Sequence, residues 1–246
     1  STMTFASNLA TGDVIDFVQI LGNVLDIGQP SDDTVTAAKL NNDIISGQTA
    51  LTAAPDLTDE LLISDAGTLK RIDYSLIGGL VKLSSQTADD DAAVTFDSTI
   101  ITSSFKNYIL IADGVIPATD AAEPYISFST DNGSSYANDC NSTRTYMNLE
   151  SASTGVERNN GNFIQLGTDI GSDANRGGSY IVEMPNLTST NYKWGTYRTS
   201  SKHETNSYVW TGGFSVNITG VINNFKFYFS TGNINKANIT LYGVVT

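Results

Sequence analysis

The sequence predicts an all-β protein: a C-terminal antiparallel β-sandwich, jelly-roll-like, preceded by a short region that holds a hairpin and a short helix. Three observations carry this expectation. From Leu80 onward, apolar residues alternate with polar ones in segment after segment, the period of a half-buried strand. Clusters of Gly, Asn, Asp and Ser separate those segments at short intervals, as the turns of all-β sandwiches do. Charged residues make up only 16% of the chain, against roughly 25% in ordinary soluble domains, and hydroxyl and amide side chains take their place.

The chain divides into three regions, residues 1–30, 31–79 and 80–246. In the first, "DVIDFVQIL" follows a turn at Thr11-Gly12-Asp13 and reads as a strand or short buried segment. Too little apolar surface accompanies it for a domain, so it is expected to close a longer upstream region. In the second, Asp32 or Asp33 caps a helix over residues 34–46, with Val35, Leu40, Ile44 and Ile45 roughly on one side and Gly47 at its end. That apolar stripe is thin, which predicts packing against copies of the same chain. The segment "LLISDAGTLKRIDYSLIGG" then reads as strand, turn, strand around Asp65-Ala66-Gly67, with Gly67 supplying the positive φ of a short turn. Two strands alone are marginal in water, so the hairpin needs the next domain or further copies of itself.

About ten strands are expected from residue 80 onward. Ile126 and Phe128 share a face ahead of Asn132-Gly133, a hairpin signal. Tyr180, Val182 and Met184, then Phe225, Phe227 and Phe229, then Ile239 and Leu241 repeat the alternation. "NYILIADGV" is apolar on both faces and is placed centrally.

Net charge is −13, from 26 acidic and 13 basic side chains. Phosphate backbones and anionic membrane surfaces are repelled by such a chain, so no nucleic acid is expected as partner, and no apolar window of about 18 residues provides for membrane insertion. The single cysteine, Cys140, forms no internal disulfide, which leaves stability to packing and assembly.

The run "LLISDAGTLKRIDYSLIGG", followed by "SSFKNYILIADGVIPATD" and ending in "FKFYFSTGNINKANITLYGVV", resembles the C-terminal portion of bacteriophage tail fibres. The upstream "FASNLATGDVIDFVQILG" is similar to the end of the repeated segments of such fibres. The resemblance implies a homotrimer on the virion, outside the cell, attached to upstream fibre or other tail proteins. It implies that a β-sandwich tip contacts a bacterial cell-surface glycan or outer-membrane component. The family carries no universal active-site motif, so no catalytic residue follows from it. A collar hairpin shared among three chains would account for a marginal two-stranded unit between the helix and the sandwich; the alternative is an ordinary connector hairpin on a monomer.

Motifs for chemistry are absent. No phosphate loop, dinucleotide fingerprint or nucleophile elbow occurs, and no cofactor or metal is expected. A Cys140–His203 dyad is disfavoured, since a lone cysteine beside polar loops is more often incidental. Paired carboxylates for a polysaccharide-degrading tailspike tip, a glycosidase or lyase, are the alternative, but no acid is marked by spacing or apolar neighbours. A purely structural virion β-sandwich without glycan binding is a second alternative. Asp89, Asp90 and Asp91, like Asp169 and Asp173, read as solvated acidic turns and not as calcium loops. The distinctive stretch is "TSTNYKWGTYRTSSKHETNSYVW", residues 188–210, which holds both tryptophans. Its aromatics and planar polar groups are the inventory of a sugar site. The alternation equally allows ordinary strands with Trp194 in the core. The receptor-binding candidates are Lys202, His203 and Glu204 on the linking loop 200–207, with Tyr197 and Tyr208 flanking it; loops 131–141 and 151–162 stand next.

Overall fold

A computed structural model describes residues 10–15, 35, 39, 43–52, 55–56, 58–77, 79–136 and 139–244. The chain forms two units, Ser1–Ala54 and Pro55–Thr246. The hairpin thus falls in the same unit as the sandwich.

In the first unit, Thr11 and Gly12 form the expected turn, closed by the Asp13 amide donating to the Ala10 carbonyl at 3.1 Å. Asp13 to Ile15 are not in a strand, and the rest of the segment expected there lies outside the described residues. Of the helix expected over residues 34–46, the last turn, α1 (Asp43–Ser46), is present, and Gly47 donates to the Asp43 carbonyl at its end. Ile44 and Ile45 are exposed; most of the preceding positions lie outside the described residues.

The second unit opens with β1 (Glu60–Asp65) and β2 (Thr68–Asp73), paired antiparallel from Glu60 opposite Asp73 to Asp65 opposite Thr68. Ala66 and Gly67 both take positive φ, 49° and 85°, the backbone of a two-residue turn whose twist matches the strands. Register places Leu62 and Leu69 on one face and Leu61, Ile63 and Ile72 on the other. Every one of these except Ile72 is exposed, Leu62 by 73% and Leu69 by 70%. The charged residues pair within the hairpin, Lys70 with Asp65 and Arg71 with Glu60.

Twelve strands then build two antiparallel sheets, against the ten or so expected. The larger sheet has eight strands, in the order β3 (Leu80–Asp91), β14 (Ile234–Val244), β5 (Asn107–Pro117), β10 (Gly177–Met184), β11 (Lys193–His203), β12 (Asn206–Val216), β7 (Cys140–Asn148) and β8 (Thr154–Gly161). The smaller has four: β4 (Val94–Phe96), β13 (Asn224–Phe229), β6 (Pro124–Ser129) and β9 (Ile164–Gln165). β5 lies inside the large sheet as its two-faced apolar pattern requires, between β14 and β10. The inward residues of the two sheets meet as one core. Leu110, Tyr180, Val182, Ile239 and Leu241 come from one side, and Phe96, Ile126, Phe128, Phe225 and Phe227 from the other. Tyr180 meets Phe227 edge to face at 5.4 Å, and Phe128 lies 6.0 Å from Phe214. Fully burying side chains of this size contributes about 1.5–3 kcal/mol each.

Three aromatic rings on the large sheet crowd a glycine on the neighbouring strand. Phe214 is opposite Gly195, Tyr197 opposite Gly212, and Tyr146 opposite Gly155. A Cβ on those glycines would fall 2.2, 2.3 and 2.5 Å from the ring, so any other residue there would force the ring to move.

Two expectations are corrected. Asn132 and Gly133 do form a turn with positive φ at both positions, but the strands beside it do not pair. β6 pairs with β13 and β9, while β7 belongs to the other sheet. The turn instead carries the chain between sheets, pinned by Asp131, whose carboxylate accepts from Ser129, Ser135 and the Ser135 amide. Second, β11 has the opposite facing from the one that puts Trp194 in the core. Lys193 is buried and Trp194 is 59% exposed. Lys193 is accommodated because its ammonium donates to the carbonyls of Ile218, at 3.1 Å, and Gly220, and burial pulls its pKa down. No helix among the described residues is long and apolar enough to cross a membrane.

Candidate functional site

The segment expected as a loop over residues 200–207 is almost wholly strand. Ser200 to His203 pair with Val209 to Asn206 in unbroken register, leaving a two-residue turn, Glu204 and Thr205. Glu204 takes φ 46° to close it. The β11–β12 turn therefore projects as a rigid tip, and three further connections gather round it. Residues 149–153 join β7 to β8, residues 118–123 join β5 to β6, and residues 166–176 lead from β9 to β10.

Hydrogen bonds fix these connections to the tip. Leu149 donates its amide to the Ser207 carbonyl at 2.8 Å, and Gly171 donates to the Lys202 carbonyl at 3.0 Å. The Glu150 carboxylate accepts from both the amide and the hydroxyl of Ser207. Those two bonds, the amide's first, hold the Glu150 pKa below its ordinary value. The Lys202 ammonium donates to the Ser207 hydroxyl at 3.2 Å and stands 3.6 Å from Glu150. His203 Nε2 lies 3.3 Å from Asp120 Oδ2, while Asp120 Oδ1 accepts from the Ser172 amide at 3.1 Å. The Ser172 amide, followed by His203, lowers the Asp120 pKa.

On one side of the tip an open groove of about 350 Å³ runs between Arg176, Ser179, Ser200, Lys202, Ser207 and Leu149. Its lining offers hydroxyls, an apolar ledge and two cations, of which Arg176 is paired with Asp173 at 3.1 Å and Lys202 is part-exposed. Such a groove suits a polar, hydroxyl-rich ligand with an acidic group. A second groove, of about 470 Å³, crosses the outer face of the large sheet over Thr145, Met147, Thr154, Val156, Val209 and Thr211. Val156 is 77% exposed there.

Of the five candidates, Lys202, His203 and Glu204 come together at the tip. Tyr197 does not: it is buried, its hydroxyl donates to the Gln165 carbonyl at 2.9 Å, and burial pushes its pKa up to about 12. Its alternation on β11 points it inward beneath the smaller sheet, so it is a core residue. Tyr208 is half-buried against Tyr146 and Trp210, with ring centroids 6.0 and 5.7 Å apart, and its remaining surface lines the groove beside the tip. Loop 131–141 is tied to the β12–β13 connection, with the Asn132 amide on Asn223 Oδ1, away from this tip. Residues that the sequence did not single out complete the site: Asp120, Ser172, Arg176 and Ser179. No local pattern marks them: Asp120, Ser172 and Arg176 lie on connections between the two sheets, and Ser179 is set opposite Ser200 by the pairing of β10 with β11.

The geometry answers the chemical alternatives in turn. Cys140 pairs with Val216 and His203 with Asn206, ten residues apart along β12, or about 33 Å at strand rise. A dyad between them is impossible, and burial pushes the Cys140 thiol up to about 12. Asp120 and Glu204 approach closely, but a glycosidase's general acid needs a raised pKa, and that of Asp120 is lowered. Asp89 and Asp91 serve their own turn, with the Asp89 amide on Asp91, while Asp90 accepts from Asn233. Among the described residues, one group combines several metal-ligating atoms at close range: Asp120, His203 and Glu204, all within 4.8 Å of one another.

No protein-family model, curated protein or solved structure matches the chain.

Proposed function

We propose that the chain is the distal part of a bacteriophage tail fibre: a non-enzymatic homotrimer on the virion, outside the cell, joined to upstream fibre or other tail proteins. Its sandwich attaches to a bacterial cell-surface glycan or outer-membrane component through the tip of the β11–β12 turn and the groove beside it.

The observation that carries this reading is the two-faced hairpin. One apolar face, Leu62 and Leu69, and the other, Leu61, Ile63 and Ile72, lie on opposite sides of a ribbon that neither side covers. A two-fold dimer joins one patch to its own copy, whereas a ring gives every copy two different neighbours. Three copies in a ring cover both faces, and a ribbon that is marginal alone becomes part of a larger buried unit. The resemblance of the sequence to tail fibres supports the same assembly. The polar, shallow groove suits attachment, because several tips on one particle raise effective concentration and make a weak site sufficient.

Sedimentation of the purified chain at micromolar concentration tests the assembly, with a trimer expected and a monomer contradicting it. Labelled chain applied to a panel of bacterial strains, with lipopolysaccharide and capsule as competitors, tests attachment. Release of new reducing ends or unsaturated sugars from those polymers would favour a depolymerase instead.

A further inference from the structure

We propose that Asp120, His203 and Glu204 form a binding site for a divalent metal ion of the zinc class. The three ligand atoms, one imidazole nitrogen and two carboxylate oxygens, lie within 4.8 Å of one another although they come from two connections 83 residues apart. His203 Nε2 and Asp120 Oδ2 stand 3.3 Å apart. That is long for an N–H···O hydrogen bond, whose usual length is about 2.9–3.0 Å. It matches the separation of two ligands each about 2.05 Å from a tetrahedral ion, which is about 3.3 Å.

The surroundings orient two of the ligands and leave the third adjustable. Asp120 has its other oxygen held by the Ser172 amide, so Oδ2 is the atom presented to His203, in the manner of a supported metal ligand. His203 is half-buried beside it. Glu204 sits on the two-residue turn with its carboxylate free of any partner among the described residues, so it can close on an ion by side-chain rotation alone. Charge favours a cation: Asp120 and Glu204 bring two carboxylates to the site, and Arg176, which acts on Asp120, is engaged with Asp173. The nitrogen ligand selects zinc-class ions over Ca²⁺ and Mg²⁺, which take oxygen cages. Three protein ligands leave at least one position open to solvent at the tip.

Chelator-stripped chain titrated with zinc chloride by calorimetry, with the thermal midpoint followed in parallel, is the test. One zinc per chain in the micromolar range or tighter, a raised midpoint, and no binding of Ca²⁺ or Mg²⁺ are expected. His203→Ala should weaken binding by at least about 100-fold and Glu204→Gln by at least about tenfold, since even groups that only orient a ligand change metal affinity by about 10–100-fold. Glu204→Gln alters an exposed, unpartnered carboxylate and keeps the test valid if His203→Ala impairs folding. Absence of saturable zinc binding would overturn the site, as would unchanged affinity in Glu204→Gln. Zinc binding by the isolated chain is independent of host attachment, so the two fail separately.

Discussion

Replacing Gly212 by alanine adds one methyl group to the middle of β12, and the fold leaves no room for it. The new Cβ would stand 2.3 Å from Tyr197 Cζ, 2.5 Å from its hydroxyl and 2.7 Å from the Thr143 carbonyl on β7. The carbonyl belongs to a paired strand and cannot retreat, so the ring must lift. Overpacking of this kind costs about 1–3 kcal/mol. Lifting the ring also breaks the buried bond from Tyr197 to the Gln165 carbonyl, a further loss of about 0.5–1.5 kcal/mol. The sum, about 1.5–4.5 kcal/mol, lowers the midpoint of a chain this size by about 3–18 °C. Gly213→Ala is the matched control. It changes the same chain entropy in the unfolded state, but its Cβ meets only the Gly195 carbonyl, at an ordinary 3.6 Å, so a change within about 0.5 kcal/mol is expected. Thermal unfolding at one fixed protein concentration compares the two, since an oligomer's midpoint depends on concentration. Equal midpoints for both variants would show that ring-on-glycine packing does not hold the sheet together.

Leu62→Asp combined with Leu69→Asp should convert the assembly to monomers in sedimentation while the strand signal in circular dichroism stays, because both side chains are more than two-thirds exposed in the single chain. Replacing Lys202, His203 and Glu204 together by alanine should reduce binding to host cells at least several-fold and lower the thermal midpoint only by the loss of the Lys202 and His203 contacts with Ser207, Glu150 and Asp120, with the strand signal in circular dichroism kept; undiminished binding by the folded variant would remove the β11–β12 tip from consideration. Asp131, whose pKa its Ser135 and Ser129 hydrogen bonds lower to about 2, contributes stability that is complete above the unfolded value of 3.8 and fades as pH falls towards about 2. Asp131→Asn should flatten that part of the acid unfolding curve. Cys140, buried on β7 with its thiol pushed up to about 12, should resist thiol reagents at pH 8 until denaturant is added.

The strands were legible because their alternation is local and complete. Phe225, Phe227 and Phe229 point inward on β13 as their spacing requires, and the β1–β2 turn forms at the residues whose chemistry asks for it. What period-2 alternation does not say is which of its two faces is inside when both carry a large residue. At and just before β11, Tyr192, Trp194 and Thr196 alternate with Lys193, Gly195 and Tyr197. The inward set is decided elsewhere: Phe214 on the neighbouring β12 needs bare backbone beneath its ring, and only the face holding Gly195 supplies it. Once Gly195 is inside, Lys193 must follow, and its burial is tolerable only because two carbonyls of the β12–β13 connection wait for it.

The same dependence on distant partners explains the site. A dipeptide such as Asn132-Gly133 specifies a turn by its own backbone preference, yet whether its flanks pair depends on the hydrogen-bonding edges that other strands leave free. β6 meets β13 and β9 on its two edges, so no edge is left for β7. Freed from β6, β7 crosses to the larger sheet beside β12. This crossing positions residues 149–153 and Glu150 against Ser207. By the same logic the link from β5 to β6 also changes sheets, and it carries Asp120 to His203. The residues around the tip are therefore consequences of sheet exchange, each supplied by a connection that leaves one sheet for the other or turns back at its end. A change that restored pairing between β6 and β7 would dismantle the tip without touching any residue in it.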